Sequence, residues 1–171
     1  MAEYFDLLSP TGKPLGITKE RNAVHRDGDW HPSVHIFVIQ GDRVLLQRRK
    51  WDKESFPGKL DLACTGHVDA GEDYLTAARR ELHLAAGADD LRYLFTQKLE
   101  VDADFGHGRF VSNEHCRVYL LNPTVPLTTL RYQAEEIDEL VWVDRHTDIT
   151  GADYCLLPAE WHKAMGLIFG A

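Results

Sequence analysis

The chain has 171 residues, 44% of them hydrophobic and 27% charged, which is the balance of a single globular domain with a buried core over residues 1–171. A formal net charge of -8 argues against a nucleic-acid partner, because such partners are held by neutralising several phosphates. No run approaches 18 unbroken apolar residues, so no membrane partner is expected, and three cysteines without C-x-x-C spacing organise neither a disulfide framework nor a zinc knuckle. The opening Met1-Ala2-Glu3-Tyr4 carries neither a basic region nor an apolar run that would mark export, which gives a cytoplasmic expectation.

Taken in chain order, Tyr4 to Leu8 reads as a strand, Ser9-Pro10-Thr11-Gly12 as a turn, and Pro14 to Thr18 as a second extended segment closing a hairpin. Val34 to Ile39 and Val44 to Gln47 are apolar runs on either side of a Gln40-Gly41-Asp42-Arg43 turn, the pattern of two antiparallel strands. A polar loop with Pro57-Gly58 leads into a short strand over Leu60 to Thr65. A helix is predicted over Glu72 to Ala86, where Leu75, Ala78, Leu82 and Ala85 recur at helical spacing. Glu72 and Asp73 suit its positive N-terminal end, and Gly87 suits the left-handed position after its last turn. Strands are expected at Tyr93 to Val101, Cys116 to Leu121 and Leu140 to Val143, and a closing helix over Pro158 to Phe169 with Pro158 in its first turn. This order gives an α+β fold rather than regular βαβ winding.

The segment that carries chemistry begins at Gly66. After five intervening residues comes Glu72, after seven more Arg80-Glu81-Leu82, and then Gly87. A diphosphate resists attack because its oxygens are negative, and a hard cation both neutralises them and acidifies a bound water, so carboxylates are needed to hold the ion. Glu81 and position 85 lie one helical turn apart and face the same way, Gly66 to Gly71 lets the chain wrap the helix start, and Arg80 has the fork geometry to orient a carboxylate. Arg48-Arg49-Lys50, with Lys53, is a basic run in an acidic chain, where substrate phosphates, for Arg48, Arg49 and Lys53, and a solvated turn are equally good explanations. Trp51 stands beside them.

This spacing resembles the Nudix box, G-x5-E-x7-R-E-U-x-E-E-x-G-U, where U is aliphatic. The resemblance extends to Val44 to Arg49, Phe56-Pro57-Gly58 and the Glu135 to Val143 segment, and it implies the Nudix fold, a mixed β-sheet sandwiched between α-helices. It also implies that Glu81 binds metal, with Gly66, Glu72, Arg80 and Gly87 as structural positions of the box, Glu72 and Arg80 as a salt-bridged scaffold. One departure is plain: where the family has Glu-Glu, this chain has Leu84-Ala85.

Other segments resemble the isopentenyl-diphosphate-isomerase-like branch of that superfamily. Ala23-Val24-His25 followed by His31 is similar to its paired N-terminal metal histidines, Thr65-Gly66-His67 to its Cys-Gly-His, and Ser112-Asn113-Glu114-His115-Cys116 to its Glu-Asn-Glu segment. The resemblance implies a metal set of His25, His31, His67, Glu114 and Glu81, with Glu81 and Glu114 as the catalytic carboxylates and Mg²⁺ or Mn²⁺ as cofactor. Thr65 stands where the isomerase has its acidic thiol and Ser112 where it has a metal glutamate; a threonine hydroxyl is too weak an acid for protonating an allylic carbon. The expectation is therefore a hydrolase that cleaves a small-molecule diphosphate, such as a nucleoside diphosphate derivative. An isomerase-like enzyme and a catalytically degenerate binding domain stand as alternatives. A monomer or homodimer fits equally. His83, His107, His146 and His162 are assigned to solvent or packing, as most of nine histidines in such a chain are.

Overall fold

In the computed structural model, residues 1–82, 91–122 and 137–170 are described. They form, in order, β1 (Tyr4–Leu8), β2 (Pro14–Glu20), α1 (Arg21–Asp27), β3 (Trp30–Gln40), β4 (Arg43–Arg49), β5 (Leu60–Leu62), β6 (Cys64–His67), α2 (Tyr74–Leu82), β7 (Arg92–Asp104), β8 (Arg109–Leu121), β9 (Ile137–Asp144) and α3 (Pro158–Phe169). The α+β class expected from the residue order is what the chain adopts. His83, Leu84-Ala85, Gly87 and Glu135-Glu136 lie outside the described residues. No helix among the described residues is long and apolar enough to cross a membrane.

The chain divides into two compact units, each described by itself. The first comprises Met1–His35, Thr65–Glu81 and Phe95–Val118. Its hairpin runs in register from Tyr4↔Glu20 to Leu8↔Pro14, with a shift between Asp6 and Leu8, and Leu8 also pairs with Trp30. Alternation along β1 sends Phe5 and Leu7 inward, where they pack with Val24 of α1. The seven-residue α1 was not anticipated, because Arg21–Asp27 offers only Ala23 and Val24 as apolar residues. It is set by its ends: the Glu20 side chain accepts the Ala23 N–H, and Gly28, at φ 72°, closes the C-terminus by donating to Val24 O. The strand predicted over Leu60 to Thr65 is in fact two, β5 and β6, and they have different partners: β5 pairs with β4, β6 with β3. Helix α2 starts one residue after Asp73, whose side chain accepts the Thr76 N–H at 2.7 Å.

The second unit comprises Ile36–Cys64, Leu82–Leu94 and Tyr119–Ala171. Its centre is β4, which pairs antiparallel with β9 from Arg43↔Asp144 to Arg49↔Ile137 and on its other edge with the end of β3 and with β5. Val44, Leu45 and Leu46 are all buried, as befits a central strand covered on both faces. The buried Gln47 does not violate this interior, since its Nε2 donates to Leu62 O at 2.8 Å. Helix α3 keeps the bounds its sequence predicts and lays Trp161 against Phe37.

Candidate metal centre

Three elements of the first unit each deliver one histidine to the same place. Helix α1 carries His25, the start of β3 carries His31, and the end of β6 carries His67. One ligating ring nitrogen from each lies within 4.8 Å of the other two. His25 and His31 are buried, and the Nε2 atoms of both have no hydrogen-bond partner. An unsatisfied buried nitrogen costs about 1–3 kcal/mol, so two of them in one cluster call for a partner that the neighbouring protein groups do not supply. His31 Nδ1 sits 3.0 Å from the Asp29 carbonyl, which can only accept, so Nδ1 holds the proton and Nε2 presents its lone pair to the cluster.

Glu114 of β8 completes the group. Its Oε1 lies 3.3 Å from His67 Nε2 and 3.8 Å from His31 Nε2, and it accepts a 2.7 Å hydrogen bond from the Ser112 hydroxyl. Burial alone raises the carboxyl of Glu114, but the hydrogen bond and charge of His67, with His31 and His35 nearby, more than offset this and hold it well below the ordinary carboxylate range. Burial, reinforced by repulsion from neighbouring histidines, pushes His25 down to about 3 and His31 down to about 4. His25 and His31, kept neutral beside the Glu114 carboxylate, are in the protonation states that bind a divalent cation. The donor set therefore fits such an ion, since imidazole and carboxylate are both ligands for divalent cations.

The loop and helix from Gly66 to Glu81 adjoin this group through His67. Arg80 grips both carboxylate oxygens of Glu72 (2.9 and 3.3 Å), donates to the His67 carbonyl at 3.0 Å, and donates to Glu81 Oε1 at 2.7 Å. One guanidinium thus ties the loop to the helix and fixes the direction of Glu81. Glu81 is not turned into the apolar interior, since its side chain keeps 20% exposure. Its carboxyl group lies against Gly66, where a Cβ would overlap it. In the second unit, Arg48 bonds Glu139 and the Gly58 carbonyl, and Arg49 bonds Ser55. Both guanidiniums brace the 50–58 loop, on which Lys53 is half-buried and Trp51 is 72% exposed.

Residues 29–149 match the family model of the NUDIX domain. The chain belongs to the Nudix family. Among its relatives is Nudix hydrolase 3 of Arabidopsis thaliana, 38% identical over 98% of this chain; the match covers 23% of that protein's length, so the chain spans less than a quarter of it. An isopentenyl-diphosphate Delta-isomerase of Ruegeria pomeroyi is 32% identical over 76% of this chain and 71% of its own length. Among solved structures, DR0079 of Deinococcus radiodurans shares the fold, with a TM-score of 0.59 at 23% identity over 84% of each chain. Nudix proteins in general use divalent metals.

Of the residues singled out by sequence, His25, His31, His67 and Glu114 are brought into one cluster, and Gly66, Glu72, Arg80 and Glu81 into an adjoining hydrogen-bonded Nudix loop. Arg48, Arg49 and Lys53 fall in the other unit. Two side chains of the cluster were not read for this role. Ser112, noted only as the loss of a glutamate, donates to Glu114, and Phe5 packs against all three imidazoles. The alternation of Tyr4 to Leu8 marks Phe5 as an inward residue, but nothing in the sequence says what it meets.

Proposed function

We propose that this Nudix domain hydrolyses a diphosphate linkage in a nucleoside diphosphate derivative or a similar small organic diphosphate, using Mg²⁺ or Mn²⁺. The convergence of three histidines, two of them with orphaned buried nitrogens, on the Glu114 carboxylate carries the reading. His25, His31, His67 and Glu114 would hold the ion, with Glu81 directed beside them by Arg80. A divalent ion there supplies charge neutralisation on the diphosphate oxygens. Glu81 takes the proton of the attacking water as its oxygen bonds to phosphorus; the P–O–P bond breaks and the leaving phosphate carries away the electron pair. Arg80 keeps the Glu81 carboxylate aimed while this happens.

The relatives named as isomerases and the three-histidine cluster itself favour one second reading, an isomerase-like reaction on an isoprenoid diphosphate. Thr65 opposes it, because its hydroxyl replaces the acidic thiol that such a reaction needs.

A panel of diphosphates with Mg²⁺ or Mn²⁺ tests both, following formation of the two phosphate products and, separately, double-bond migration in isopentenyl diphosphate. The expected result is product formation that falls by about a hundredfold or more in Glu81→Gln, the scale on which a positioned acid–base group acts. Isomerised product replaces the hydrolase reading with the second. Silence in both assays leaves a binding domain, for which Leu84-Ala85 is the sequence explanation.

A further inference from the structure

We propose that Phe5 is a positioning residue for the three-histidine centre: its ring sets the planes of the imidazoles and so the directions of their lone pairs. The inference rests on the metal reading above and extends it to a residue outside the Nudix box and outside the ligand set.

Phe5 is completely buried on β1, held there by pairing with Lys19 across the hairpin and by Leu7 and Val24 beside it. One face arrangement repeats around it. The His31 ring is stacked on it at 5.2 Å and 10°, the His67 ring at 4.7 Å and 27°, and His25 meets it edge-on at 6.2 Å and 68°. On another side of His25 stands Phe110, at 4.6 Å and 39°.

An imidazole nitrogen carries its lone pair in the plane of the ring. Rotation of the ring about its bond to Cβ is broad and soft on its own, so the plane must be fixed by what the ring touches. A flat aromatic face against two imidazoles allows them to lie parallel to it and resists rotation out of that plane, which directs both Nε2 atoms sideways toward the shared centre rather than into the hydrocarbon. Asp29 O supplies a second restraint to His31, and no comparable hydrogen bond reaches the His25 Nε2. An aliphatic side chain of similar volume fills the same space without a flat face, so it keeps the packing and loses the orientation.

The test is titration of the metal-free protein with Co²⁺ alone, read by the visible ligand-field absorption of the bound ion and by its dissociation constant, with thermal unfolding measured in parallel. Wild type, Phe5→Leu, Phe5→Met and Leu7→Ala are compared. Leu7→Ala is the packing control: it opens the same apolar cluster of Phe5, Leu7 and Val24 and keeps the Phe5 ring. The expected result is that Phe5→Leu and Phe5→Met bind Co²⁺ about ten- to a hundredfold more weakly, with an altered absorption band, as is typical when a group that orients ligands is lost. Leu7→Ala unfolds at lower temperature but binds with the wild-type constant and band. Wild-type binding in both Phe5 variants overturns the proposal, as does an equal loss in Leu7→Ala, which would make the effect general loosening. A wild-type protein that takes up no Co²⁺, or one whose uptake survives His25→Ala and His31→Ala together, removes the metal reading itself and the proposal with it.

Discussion

Gly66 shows how a single residue constrains the chemistry. Its φ is not in the left-handed region, so backbone freedom is not the reason for glycine there; the Glu81 carboxyl group occupies the space a Cβ would need. The obstructing atoms are the far end of a flexible side chain, which can swing away at small cost to the fold. Gly66→Ala is therefore expected to leave the unfolding temperature within a few degrees of wild type while moving Glu81 off the direction that Arg80 gives it. A loss of turnover of about a hundredfold follows, in line with the cost of misplacing a reacting group by about 1 Å. Equal activity in Gly66→Ala, measured beside an unchanged melting curve, would show that the close approach has no part in the reaction. The box glycine was legible in the sequence as a spacing. Its physical reason was not, because that depends on which side chain comes back to it fifteen positions later.

Among the elements, those with a period of two or 3.6 were legible, and those defined by their ends were not. The hairpin, β3 with β4, and α3 follow from alternation, turn residues and a proline in the first turn. Helix α1 is too short to show a period and exists because Glu20 and Gly28 satisfy its two ends. Yet it is the element that presents His25, so the site depends on a helix that the sequence read only as a histidine spacing. Gly28 is then a test of the element. At φ 72° any residue with a Cβ is strained, and here the Cβ would also stand 3.2 Å from Val111 Cγ1. Gly28→Ala is expected to cost about 1–2 kcal/mol, or a fall in Tm of several degrees. Gly28→Asn should cost less, since asparagine enters the left-handed region more readily. Equal Tm values for Gly28→Ala and wild type would mean that this cap does not hold α1.

For the whole molecule, the cluster makes stability depend on pH and chelation, and metal loading would follow pH in the same sense. In the metal-free protein His25 and His31 are neutral down to about pH 3 and about pH 4, whereas in the unfolded chain they titrate near their ordinary 6.5. Between those values the unfolded state binds more protons than the folded one, so stability rises with pH across the interval. It is fully present above about pH 7 and is lost as the pH falls through 6.5 toward 4. By pH 5 each histidine has forfeited about 2 kcal/mol, at 1.36 kcal/mol per unit of pKa. Glu114 acts in the same sense below its ordinary range, because its lowered carboxyl resists the protonation that the unfolded chain accepts. Under the proposed metal reading, a divalent ion would shift the balance further by mass action, since the cluster exists only in the folded chain. Melting curves recorded in a chelator should therefore drop by roughly 10 °C between pH 7 and pH 5, on the scale of 2–4 °C per kcal/mol for a chain of this size. The same curves with Mn²⁺ should lie higher at pH 7 and converge on the chelated ones as acid displaces the ion. In His25→Asn with His31→Asn the chelated slope should flatten, because the groups that hold back protons in the folded state are gone. A wild-type profile as flat as that of the double variant would mean that these two rings are protonated inside the folded protein, and a cluster of imidazolium ions is not one that a cation enters.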